Sequence, residues 1–203
     1  MRGLVERRKD LVAAMMKDGI YEAAVQVLMD HGVEGLTMDR VAETAGVAKG
    51  SLYNYFRSKK ELVQFIHDKI VEPAKSFLFE MQESSISAPE KLGAIVRRWM
   101  DHFSQNRGVC ELLFNDARLQ EMLDEPKTTS RLEAMKSLKV IFDQGVAEGS
   151  FREMDTAGAA EIFLGAVIIT LEHRAALPET RSIDESVALL LDVLFKGFEP
   201  RSS

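Results

Sequence analysis

The chain of 203 residues holds a single cysteine, Cys110, which excludes an internal disulfide framework and any metal site built from several thiolates. It also lacks a long uninterrupted apolar run. The longest, Ala157 to Thr170, carries Glu161 inside it and is too short to cross a bilayer. The N-terminal segment begins with positive charge, but Lys17 and Asp18 interrupt its only apolar run, so no secretion signal is expected. There is no internal repeat and no low-complexity tract. With 46% hydrophobic and 29% charged residues, the composition is that of an ordinary globular protein. A cytoplasmic protein is expected, with no membrane partner.

Catalytic signatures are missing too. A di-metal helical bundle needs Glu-x-x-His on paired helices, and none surrounds His31, His67, His102 or His173. Glu172 and His173 are adjacent, so on a helix they face different ways. Cys110 has no histidine near it in the sequence, and its apolar neighbourhood suits an inert thiol. No stretch alternates apolar and polar residues as a strand does, so no glycine-rich phosphate loop follows a strand. No enzyme, metal or cofactor is expected.

Charge is short in one place only. The chain carries 26 basic and 32 acidic residues, a formal charge of −6. Residues 1–70 hold 11 basic and 10 acidic side chains, and the remainder 15 and 22. Within the first part, the 17 residues from Thr44 to Lys60 contain Lys49, Arg57, Lys59 and Lys60 and no acid. A polyanion would therefore be met locally, against the sign of the whole chain.

What is present is helical punctuation. Ser58…Glu61, Ser87…Glu90, Ser130…Glu133 and Ser182…Glu185 have capping-box spacing, and Gly32, Gly46 and Gly149 each follow an apolar-periodic stretch as helix stops do. The spacing predicts an all-α protein of about nine helices, over 8–31, 38–45, 49–56, 59–83, 89–105, 108–115, 127–148, 156–175 and 184–198. Pro73 should kink or divide the fourth. A boundary near residue 70 separates short helices with tight turns (1–70) from longer ones suited to a bundle (71–203).

Residues 37–56 read TMDRVAETAGVAKGSLYNYF. Thr37 caps a short helix with Val41, Ala42 and Ala45 inward; Gly46 turns the chain; a second short helix puts Leu52 and Phe56 on one face. That is helix-turn-helix grammar. Lys49 and Lys60 suit phosphates. Gly50 and Ser51 leave the N–H groups of the second helix open to a phosphate oxygen, Tyr53 and Tyr55 offer hydroxyls, and Asn54 can donate and accept on a base edge.

The segment from about Ile20 to Ile70 resembles the DNA-binding domain of TetR-family transcription regulators. The resemblance rests on AGVAKGSLYNYF followed by SKKEL; the remainder matches in helix number, length and a GSFREMD link before the eighth helix. It implies an N-terminal three-helix DNA-binding domain and a C-terminal helical ligand-binding and dimerisation domain. It further implies a homodimer on an inverted-repeat operator of double-stranded DNA, usually a repressor, released by a small molecule. Carried over residue by residue, Thr37 is the phosphate-binding cap, Lys49, Gly50, Ser51, Tyr53, Asn54 and Tyr55 lie on the recognition helix, and Lys60 grips backbone phosphate. Many members carry histidine where Tyr55 stands. Arg40 is a further candidate for DNA contact, or lies on a solvated helix face.

By the same resemblance the aromatic interior of the C-terminal half becomes a cavity for an unidentified, mainly apolar effector. Trp99 and Phe103, four apart, lead the candidates, with Phe114, Phe142 and Phe163 around them and His102 and Arg118 as polar anchors. Plain core packing is the competing reading. The eighth helix places Gly165 and Ile169, and the ninth Leu190, Leu191, Leu194 and Phe198, as apolar surface beyond what one core needs. These are the candidate dimer contacts, burial within one chain being the alternative. A regulator that is constitutive, or controlled by a protein partner, would have the same sequence pattern.

Overall fold

The computed structural model describes residues 3–177 and 181–198. Among them are nine α-helices and no strand: α1 Leu4–Gly35, α2 Met38–Thr44, α3 Lys49–Tyr55, α4 Lys59–Glu83, α5 Ala88–Gln105, α6 Arg107–Asn115, α7 Ala117–Ala147, α8 Thr156–Ala176 and α9 Ile183–Phe198. The three glycines expected to stop helices are those with positive φ: Gly32 (66°), Gly46 (67°) and Gly149 (76°). At Gly32 the break lies inside α1, and one more turn follows it.

The chain divides into two compact units. The first runs to Lys69 and takes in Leu112–Leu123; the second comprises Ile70–Glu111 and the chain from Asp124 onward. The division at residue 70 is thus amended by one segment, the elbow from α6 into α7. In the first unit α1 packs on α2 and α2 on α3, around buried Ile20, Val27, Leu28, Val41, Leu52, Phe56, Leu62 and Ile66. In the second, α5 packs on α8 and α9, enclosing Leu92, Ile95, Trp99, Leu138, Phe142, Phe163 and Val167.

Three capping pairs close locally. Ser87 and Ser182 donate their backbone N–H to Glu90 (3.0 Å) and Glu185 (2.8 Å). The Ser58 hydroxyl accepts from the Glu61 N–H at 3.2 Å. The fourth expectation fails. Ser130 and Glu133 lie inside α7, which starts at Ala117 and continues through Pro126. The true start is set by Asp116, whose carboxylate accepts from the Arg118 and Leu119 N–H groups at 2.9 and 3.4 Å. Glu133 instead pairs with Lys75 at 2.7 Å.

A second correction concerns α8. The helix outruns its apolar run and is 21 residues long, enough in length and hydropathy to cross a membrane. One face, Ala159, Ala160, Phe163, Leu164, Val167 and Leu171, is buried in the second unit, as in a core helix. The other leaves Ile162 and Ile169 61% and 64% exposed.

Candidate nucleic-acid interface

The reader is held from inside. Val41, Ala42, Leu52 and Phe56 are buried, so α2 and α3 cannot roll without exposing apolar surface. Gly46 provides the left-handed turn, after which the Val47 N–H donates to the Ala42 carbonyl at 3.0 Å. The Thr37 hydroxyl accepts from the Arg40 N–H at 3.3 Å and caps α2.

The outer face of α3 is polar and open. Lys49, Gly50, Tyr53 and Asn54 are exposed, Ser51 and Tyr55 half-buried, and Lys60 stands exposed on the first turn of α4. Tyr53, 41% exposed, and Asn54 therefore present a ring, a hydroxyl and an amide where a short helix would enter a major groove.

The cations are less uniform than their spacing suggests. Lys49 pairs with Asp39 of α2 at 2.6 Å, and that hydrogen-bonded carboxylate raises its pKa. Lys59 turns inward, donates to the Val33 carbonyl at 2.7 Å, and is pushed down by burial and by Arg118. The Arg40 guanidinium donates to the Gly35 carbonyl at 2.9 Å, closing the last turn of α1. Arg40 thus caps the end of α1 while its side chain stays exposed on α2. Asp39 was missed; its position in TMDR gives no local sign that it reaches Lys49 on the next helix.

The residues expected to line an effector cavity separate into two groups. Phe114 and Arg118 belong to the first unit, where Arg118 forks onto Asp116 and reaches Glu34, both at 2.9 Å. Its hydrogen bonds hold the Asp116 carboxyl below the ordinary carboxylate range. The other five lie in the second unit. Phe142 and Phe163 are fully buried and stack edge to face at 5.8 Å between centroids, which makes them core. Trp99 Nε1 donates to the Ala74 carbonyl at 3.0 Å, and His102 Nε2 to the Ile70 carbonyl at 2.8 Å. A carbonyl only accepts, so Nε2 of His102 carries the proton. These bonds flank Pro73, which lacks the N–H its turn of α4 would use. Phe103 alone of the five is a half-buried ring that also borders a chamber.

The candidate dimer residues are also redistributed. Leu190, Leu191 and Leu194 are half-buried against the core, because with 100° per residue they share the face of buried Val187. Outward lie Leu189 and Val193, 45% and 62% exposed. On α8, Gly165 and Ile169 are exposed as expected. The side chain of Phe198 falls outside the described residues. Among the described residues, no group of three or more His, Cys, Asp or Glu side chains is placed to hold a metal ion.

A helix-turn-helix whose polar face is open and whose apolar face is locked defines a DNA-binding module. Residues 20–66 match the bacterial regulatory proteins of the tetR family, and residues 85–172 match the tetracyclin repressor-like C-terminal domain. The chain belongs to the TetR family of transcriptional regulators. It is 24% identical over 141 residues to the HTH-type transcriptional repressor KstR2 of Mycolicibacterium smegmatis, covering 68% of this chain and 69% of that protein. Its fold is similar to SmeT of Stenotrophomonas maltophilia in complex with triclosan, with a TM-score of 0.80 at 20% identity over 93% of each chain. It is also similar to FadR of Bacillus subtilis in complex with stearoyl-CoA, with a TM-score of 0.72 at 20% identity over 89% of this chain and 98% of that one.

Proposed function

We propose that the protein is a homodimeric repressor that binds an inverted-repeat operator through α3 and releases it when a small molecule occupies the second unit. The observation that carries the DNA reading is the exposed Tyr53–Asn54 pair on a helix anchored by fully buried Leu52. Thr37, Lys49 and Lys60 supply phosphate contacts, and Gly50, Ser51 and Tyr55 complete the approach of the helix. Dimerisation is supported by the outward apolar residues of α8 and α9, Ile162, Ile169, Leu189 and Val193, which a monomer leaves wet. Two-fold symmetry then sets the operator as a pseudo-palindrome. The reading of ligand release rests on structural relatives that hold triclosan and stearoyl-CoA. The effector shifts the protein only by binding its two conformations unequally.

Pull-down of fragmented genomic DNA by purified protein at two salt concentrations tests the reader. One enriched palindrome that persists at the higher salt supports it; fragments without a common motif, lost as salt rises, reduce it to electrostatic contact. A thermal-shift screen tests the effector, since a ligand selective for the folded chain raises its midpoint. A screen in which no small molecule moves the midpoint favours constitutive or partner-controlled regulation.

A further inference from the structure

In the second unit α5, α6 and α8 enclose a chamber of about 10 Å³, room for one water-sized body. Met100, Phe103, Leu171 and Ala175 make its apolar walls, and Ser104, Arg107, Cys110 and Arg174 its polar ones. No carboxylate is among these lining residues, yet two guanidinium groups share the chamber. Arg107 is aimed from behind by neutral oxygens, the carbonyls of Ala175 (Nε, 3.2 Å) and Leu177 (Nη2, 2.5 Å), which orient its charge without cancelling it. Arg174 donates to the Arg181 carbonyl at 3.0 Å and the Ser186 hydroxyl at 2.7 Å. Burial pushes the Cys110 thiol up to about 12, so sulfur supplies no anion either.

We infer that this chamber receives the anionic head of the effector, and that the effector is an amphipathic carboxylic acid whose chain lies along Met100, Phe103 and Leu171. The inference rests on the effector-binding reading and sharpens it, from a mainly apolar molecule to one with an apolar tail and one negative charge. Arg107 and Arg174 hold the carboxylate, as planar guanidinium groups do. The chamber as built admits no more than a water-sized body; the half-buried ring of Phe103 must swing aside for both head and tail.

Calorimetric titration of the full chain with decanoate and with decanol, beside a thermal shift with each, tests the inference. The expected result is that decanoate binds and raises the midpoint while decanol does neither. Arg107→Gln and Arg174→Gln should each weaken decanoate binding by about tenfold or more, the scale of a charge-assisted bond. Arg107→Lys and Arg174→Lys, which keep the charge and lose the fork, should bind between the two, and they carry the test if a Gln variant fails to fold. Equal binding of decanol, binding of neither, or decanoate binding untouched by all four substitutions overturns the inference. DNA binding by the ligand-free protein is read separately, so loss of the regulator reading and loss of the acid site are distinct outcomes.

Discussion

Two cations, Lys49 of the first unit and Arg107 of the second, are held in opposite ways. In the first unit, exposed Lys49 on the reader rests on the carboxylate of Asp39. In the second, Lys91 is buried and donates to the Gln82 carbonyl at 3.0 Å, and Arg107 is held by carbonyls alone, although surface pairs such as Lys139 on Asp143 occur there too. A surface pair of the first kind exchanges readily for another anion, such as DNA phosphate, because its net worth in water is small. A cation held by neutral oxygens keeps its charge available but its position fixed. The first arrangement suits a surface that must dock and leave, the second a position that must keep its geometry.

Substitutions that break this contrast should differ greatly in size. The largest effect is expected from Phe142→Ala, which removes a fully buried ring stacked on Phe151 and Phe163 and should cost about 3–5 kcal/mol in chemical denaturation. Next comes Val193→Asp on the outward face of α9, which should leave the helix content unchanged and shift sedimentation from dimer to monomer; an unchanged sedimentation coefficient would remove α9 from the interface. In the reader, Asn54→Ala should cost roughly 1–3 kcal/mol of discrimination at one base position. Lys60→Ala should instead weaken every sequence alike and lower the salt slope by about 0.9. If anisotropy titrations show both variants losing specific and non-specific affinity equally, the roles given to Asn54 and Lys60 do not hold. The smallest effect is expected from Asp39→Asn, which releases Lys49 and should raise affinity by no more than about fivefold at low salt.

Local features of the fold were legible in the sequence, and distant partners were not. Ser87 with Glu90 and Ser182 with Glu185 are pairs whose spacing alone dictates their bonds. Residues 116–126 fall between the helices expected over 108–115 and 127–148, although Asp116 begins α7 and the helix runs on through Pro126. Trp99, paired by spacing with Phe103, and His102, as a polar anchor, both stand among the residues expected around an effector. Their partners, the carbonyls of Ala74 and Ile70, lie 25 and 32 residues away, beyond any spacing rule. Lys59 and Lys60 show the same limit more sharply. They are identical neighbours in sequence, but one helical step turns Lys59 onto Val33 and leaves Lys60 exposed. In α9 the same 100° step separates inward Leu190 from outward Leu189.

The first unit is discontinuous along the chain, since it includes Leu112–Leu123 and its Glu34–Arg118 contact spans 84 residues. During synthesis, domains generally fold from the N-terminus as they emerge. Here the ribosome must release the elbow before the reader can be completed, although helices α1 to α3 emerged long before. The DNA-reading unit therefore finishes late, and a nascent chain cut short before residue 112 lacks buried Leu113, Leu119 and Leu123, leaving the surface they cover open to water.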